Sequence, residues 1–133
     1  MIRKLLFLLA IICATFGCSM SADTTAAEQA VTKFHSMFDA GQFDQIYDES
    51  SSVMKSASTK ENLVEVLDAA HRELGNVKST TQTGWNVDYV NGSAHIVLTF
   101  KTIYDQGDAD ERFAFTKLST DILLSGYHIT RTR

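Results

Sequence analysis

Proline is absent from all 133 residues, and cysteine occurs only twice, at Cys13 and Cys18. Without proline, no helix has to break at a residue of fixed φ and no X–Pro cis bond has to be accommodated. With both cysteines near the start, the rest of the chain has no disulfide available and must be held by a hydrophobic core. The roughly 115 residues after Cys18 are enough for one such core, so a single domain is expected. Long apolar runs are also lacking. The one candidate, Leu5 to Phe16, is about a dozen residues, whereas a membrane-crossing helix needs roughly 20. Nor is there a basic excess: the formal net charge is −4, and it falls by two more without Arg3 and Lys4. An acidic surface argues against nucleic acid and anionic headgroups as partners.

The short apolar run follows Arg3 and Lys4 and ends at Gly17-Cys18-Ser19, the pattern of a secretory signal peptide. Thr15-Phe16-Gly17-Cys18 resembles a bacterial lipobox, in which a small residue precedes a cysteine that is lipidated and becomes the first residue of the mature chain. That resemblance implies a signal peptide over 1–17, lipid on Cys18, and a tether over 18–24 ahead of a domain at 25–133. Ser19 after the cysteine points to the outer membrane, facing the periplasm. The alternative is ordinary cleavage near Ser19, Ser21 or Ala22, which leaves a soluble periplasmic domain.

Within the domain, Thr25 with Glu28 reads as a capping box opening a helix with Ala27, Val31, Phe34, Met37 and Phe38 on one stripe, closed by Gly41. A short second helix is expected over Phe43 to Tyr47, and the serine-rich stretch Ser50 to Ser58 as loop. Ser58 with Glu61 repeats the capping box, and Leu63, Val66, Leu67, Ala70, His71 and Leu74 form the stripe of a third helix before Gly75. From Val77 the period becomes two, the mark of strands with one buried face. Trp85, Val87 and Tyr89 alternate with polar residues, Asn91-Gly92 supplies a hairpin turn, and a strand from Ala94 to Tyr104 places Ile96, Leu98 and Phe100 on one face. Turns at Asp105 to Asp108 and Ser119 to Asp121 flank a strand with Phe113 and Phe115, and a last strand carries Tyr127 and Ile129. Three helices followed by hairpins predict an α+β domain with a curled antiparallel sheet of about four strands.

This order of elements, with Asp39-Ala40-Gly41-Gln42-Phe43-Asp44 after the first helix, Leu74-Gly75 closing the third, Glu111 opening a strand and Ser125-Gly126-Tyr127-His128-Ile129 near the end, resembles the nuclear-transport-factor-2-like superfamily. Within it, the chain looks similar to a branch of short bacterial envelope proteins of unknown function. The similarity covers Ala26 to Thr130. It implies a cone, with the sheet wrapped around a long helix and an apolar pocket at the wide end, on a fold that hosts isomerases, dehydratases, scaffolds and binding proteins alike.

No two of His35, His71, His95 and His128 stand at a metal-pair spacing, so no metal and no cofactor is expected. His35 is placed at the edge of its helix stripe, and His71 reads as a part-buried core histidine. Asp105, Asp108, Asp110 and Glu111 form an acidic run that does not match a calcium loop and reads as a solvated turn. No nucleophile elbow or phosphate loop is present. A lyase or isomerase in an apolar cone pocket would draw its acid or base from Asp44, Tyr47, Tyr89 or Tyr127. The leading expectation is instead a non-enzymatic envelope lipoprotein, attached to the membrane through its lipid. Its domain would bind an envelope protein or a small apolar molecule, or form a homodimer through Val97, Thr99 and Ile103 on the outer sheet face. Intact-mass measurement of membrane and soluble fractions, for the full chain beside Cys18→Ser, tests the anchor. A lipid increment absent from the variant is expected, and a soluble product beginning after Ser19, Ser21 or Ala22 would remove it.

Overall fold

The computed structural model describes residues 18–132, with side chains described from 22 onward; the signal peptide expected over 1–17 lies outside the described residues. Among the described residues four helices, α1 (Cys18–Asp39), α2 (Phe43–Asp48), α3 (Ser52–Ala57) and α4 (Lys60–Leu74), precede four strands, β1 (Val77–Val90), β2 (Ser93–Tyr104), β3 (Gly107–Leu118) and β4 (Asp121–Thr132). The strands form one antiparallel sheet in the order β1-β2-β3-β4.

Three local expectations change. The segment expected as a tether over 18–24 is helical, since α1 begins at Cys18 and not at Thr25. The serine-rich segment holds a fourth helix, because Ser51 takes extended backbone and its side chain accepts from the Met54 N–H at 3.3 Å. A serine in that conformation caps a helix more readily than it continues a loop. Helix α4 opens one residue later than its capping-box pattern, at Thr59, whose Oγ1 accepts from the Asn62 N–H at 3.2 Å.

The hairpin after β1 turns at Asn91 and Gly92, both with positive φ, the backbone a two-residue turn needs to match strand twist. Side chains opposite one another share a face, so the register Trp85↔Leu98, Leu98↔Phe113 and Phe113↔Tyr127 defines one inner row. The next inner rows carry Ile96 with Phe115, and Phe100 with Glu111. Helix α1 covers this face through Ala27, Val31, Phe34, Met37 and Phe38, all buried, and Leu63, Leu67 and Leu74 of α4 complete the core. Part of the edge strand β1 stays uncovered: Trp85 and Tyr89 lie on the inner face yet are 59% and 54% exposed.

One end of the meander is closed by backbone. The Gly75 N–H donates to the His71 carbonyl at 2.8 Å, the Gln106 N–H to the Leu74 carbonyl at 2.8 Å, and the Asp105 N–H to the Asn76 carbonyl at 3.0 Å. Asp105 returns the contact by accepting from the Asn76 N–H at 2.9 Å. Gly75 has φ 80 and ψ −152, a region open essentially to glycine alone, and an added Cβ would lie 2.8 Å from the Asp105 Cβ. Gly75→Ala is therefore expected to cost about 2 kcal/mol or more of unfolding free energy, measured by urea denaturation; an unchanged midpoint would refute this account of the closure.

Candidate functional site

The sheet's inner face carries a carboxylate, Glu111, in phase with its apolar residues. On β3, Ala109, Glu111, Phe113 and Phe115 alternate inward and all are buried, with Glu111 only 1% exposed. An ionised carboxylate in such a place costs several kcal/mol unless its lone pairs are met. All four are met. Oε1 accepts from the Tyr104 hydroxyl at 2.6 Å and the Tyr127 hydroxyl at 2.7 Å. Oε2 accepts from the Thr102 hydroxyl at 2.5 Å and from His35 Nε2 at 2.8 Å. A carboxylate offers about four acceptor positions, so this one has no capacity left.

Each donor is placed by the period of its own element. Thr102 and Tyr104 continue the inward alternation of Leu98 and Phe100 on β2, Tyr127 faces inward on β4, and His35 lies four residues after Val31 and three before Phe38 on the buried side of α1. The rings of Phe34 and Phe113 stand at 5.8 and 5.7 Å from that of His35 and wall the cluster from the side. Burial alone would push the Glu111 carboxyl upward, but the hydrogen bonds from His35, Thr102 and Tyr104 and the attraction of His35 outweigh it and hold the group below its ordinary value. Burial, then the neighbouring Glu111 charge, pushes the Tyr104 and Tyr127 hydroxyls well up, so both stay protonated and donate.

Two readings of the sequence are corrected here. Glu111 is not part of a solvated acidic turn: Asp105 and Asp110 are exposed, but β3 starts at Gly107 and its alternation carries Glu111 inward. His35 is not at the edge of its stripe but buried at 7% exposure. Of the residues considered as acids or bases, only Tyr127 reaches this cluster. Asp44 is exposed on α2, Tyr47 donates its hydroxyl to the Ser58 carbonyl at 3.1 Å, and Tyr89 is an exposed side chain of the edge strand. His71 is half-buried as expected, with Nε2 2.8 Å from Asn76 Oδ1. Glu111, His35, Thr102 and Tyr104 were not singled out for chemistry, although each is a polar residue in phase with an apolar row. No group of three or more histidines, cysteines or acids among the described residues is arranged to hold a metal.

A cleft of about 400 Å³ lies on the other side of Phe34. Phe34, Met37, Ile46, Phe115 and Leu124 form its apolar walls, Ala30 sits on its rim, and its charged residues are Lys33, Glu49 and Asp121. Lys33 pairs with Glu49 at 2.8 Å. The hydrogen bond from Gln45, and then Lys33, keeps the Glu49 carboxyl below its usual range. None of Glu111, His35, Thr102, Tyr104 and Tyr127 lines the cleft; Phe34 stands between the two, on the cleft wall with its ring 4.7 Å from that of Tyr127.

Because the carboxyl of Glu111 is depressed in the folded state, its stabilising effect is present above the unfolded value near 4.5 and is lost as pH falls through the lower folded value. Glu111→Gln places an amide NH₂ against donors and is expected to cost about 3 kcal/mol, with Tyr104→Phe costing about 1.5 kcal/mol. Urea titrations at pH 7 and below pH 4.5 check both: the wild-type chain should lose stability on acidification more steeply than Glu111→Gln, and parallel losses would refute the assignment.

Comparison with known proteins places this geometry. No curated protein matches the sequence. Among solved structures, a protein from Catenulispora acidiphila shares 14% identity over 85% of this chain and 94% of its own, with a TM-score of 0.53. A chain designated Rd1NTF2_05 shares 12% over 83% of this chain and 99% of its own, at 0.54. A protein from Novosphingobium aromaticivorans, provisionally named a scytalone dehydratase, shares 10% over 86% and 87%, at 0.50. These likenesses establish the fold as nuclear-transport-factor-2-like. Residues 30–118, which include His35, Thr102, Tyr104 and Glu111, match the family model described as protein of unknown function (DUF4019), and the chain belongs to that family.

Proposed function

We propose that this chain is a bacterial envelope protein, anchored by lipid on Cys18, whose domain binds a small, largely apolar molecule in the cleft between α1, α2 and β4 without transforming it. The observation that carries the binding reading is the separation of cleft from cluster. The cleft offers apolar walls with a paired Lys33 and Glu49 at its mouth, the usual build of a small-molecule site. The buried acid that would serve chemistry lies behind Phe34 with every acceptor position engaged. A general acid or base must reach its substrate within about 3 Å, and among the described residues the Glu111 carboxylate meets its four donors, each lone pair taken. The anchor rests on the positive start of the chain, its short apolar run, and Cys18 after Gly17.

A lyase or isomerase reading would require Phe34 to swing aside and one donor to leave Glu111. Burial opposes this, because Phe34 is 3% exposed and stacks edge-on to Phe113 at 5.0 Å.

Ala30 is half-buried on the rim of the cleft, so Ala30→Trp fills the space without disturbing a buried core side chain. With the uncharged fluorophore N-phenyl-1-naphthylamine as probe, the wild-type protein should bind and Ala30→Trp should bind at least about tenfold more weakly, a loss of about 1.4 kcal/mol, with its urea midpoint unchanged. Equal binding by both would remove the cleft as the site.

A further inference from the structure

The two ends of the meander differ in character. The β2–β3 end, at Asp105 and Gln106, is closed by α4 through hydrogen bonds. The opposite end carries the β1–β2 and β3–β4 turns, and three of the large exposed hydrophobic residues stand there: Tyr89 at 54%, Val90 at 52% and Leu118 at 63%. The start of α1 is fixed to this same end. Lys117, next to Leu118, donates to Asp23 at 2.8 Å, and one depression brings Asp23 together with Tyr89, Gly92 and Ser119 from both turns. The far end of α1 lies at the closed end, where Asp39 accepts from the Val77 N–H at 3.0 Å. The helix therefore runs along the domain and leaves it past the two turns.

We propose that this turn end is seated on the membrane, with Tyr89, Val90 and Leu118 entering the headgroup region. This rests on the lipid anchor at Cys18 argued above. Because α1 is already helical at Cys18, the five residues from there to Asp23 rise only about 8 Å at 1.5 Å per residue. A lipid on Cys18 holds the turns within that distance of the interface, where the exposed Tyr89, Val90 and Leu118 flank the polar turn residues Asn91, Gly92, Ser119 and Thr120. A tyrosine at such a boundary buries its ring and keeps its hydroxyl wet. The charges at this end are Asp23, paired with Lys117, together with Asp88 and Asp121; this balance is acidic, so the surface that fits is a zwitterionic one. The apolar contact adds orientation to an anchor that by itself fixes only position.

The test uses the mature protein purified from membranes of cells expressing the full chain, in a Trp85→Phe background. Tryptophan is placed at the turn end, as Leu118→Trp or Val90→Trp in separate variants, or at the closed end, as Gln106→Trp. Each is reconstituted into phosphatidylcholine vesicles with brominated acyl chains after its intact mass has been measured. Quenching about threefold stronger at 118 and 90 than at 106 is expected for side chains lying about 5–10 Å into the interface. A lipidated protein quenched equally at all three positions overturns the seated end and leaves the anchor standing. A protein with no lipid mass overturns the anchor and the proposal with it.

Discussion

A carboxylate that has lost its water must be given four hydrogen bonds by the protein, and at Glu111 the four come from three other elements: His35 from α1, Thr102 and Tyr104 from β2, and Tyr127 from β4. Hydrophobic contacts between α1 and the sheet tolerate small slides, since apolar area is not directional. Hydrogen bonds of 2.5 to 2.8 Å to one pair of oxygens do not. A shift of α1 by one residue would turn His35 away and leave a buried charge short of a partner. A buried ion pair is weak evidence of net stability, because desolvation offsets much of the attraction. Its consequence here is uniqueness: the helix has one position over the sheet in which Glu111 is satisfied.

That fixed helix sets the cleft. Phe34 belongs to both sides, facing the cleft while lying 4.7 Å from the Tyr127 ring and 5.0 Å from that of Phe113. Holding His35 on Glu111 holds its neighbour Phe34 as a wall, so the polar cluster shapes the cleft without entering it. On a fold whose members perform many tasks, function has to be argued from such a site and not from the architecture.

The same helix gives the domain a direction. Asp39 ties its end to the start of β1, and Asp23 ties its beginning to Lys117 beside the β3–β4 turn. One end of the meander is thereby closed by α4 and the other is left with exposed apolar side chains around the emerging chain. The Gly75 backbone allows the closed end, since it brings the end of α4 close enough for Leu74 and Asn76 to bond the β2–β3 turn.

Much of this was written locally. The stripe of α1, the inward alternation of β2 and β3, and the Asn91-Gly92 turn follow from periods of 3.6 and 2 and from the backbone preferences of particular residues, and they led to the α+β class and the four-strand sheet. The short helix α3 was missed because six residues carry too little period to outweigh a run of serines, although Ser51 supplied its cap. Glu111 was legible only as a carboxylate in phase with Ala109 and Phe113; that it is buried and not solvated depends on His35, 76 positions away. Trp85 and Tyr89 are in phase with the core in the same way, yet remain exposed because they lie on the edge strand β1 where the helices do not cover it. The elements and the face each residue takes follow from local pattern, because periodicity is a property of neighbours along the chain. Which inward polar group is satisfied, and which inward aromatic is covered, was decided only by the tertiary structure, because donors and cover come from segments distant in sequence.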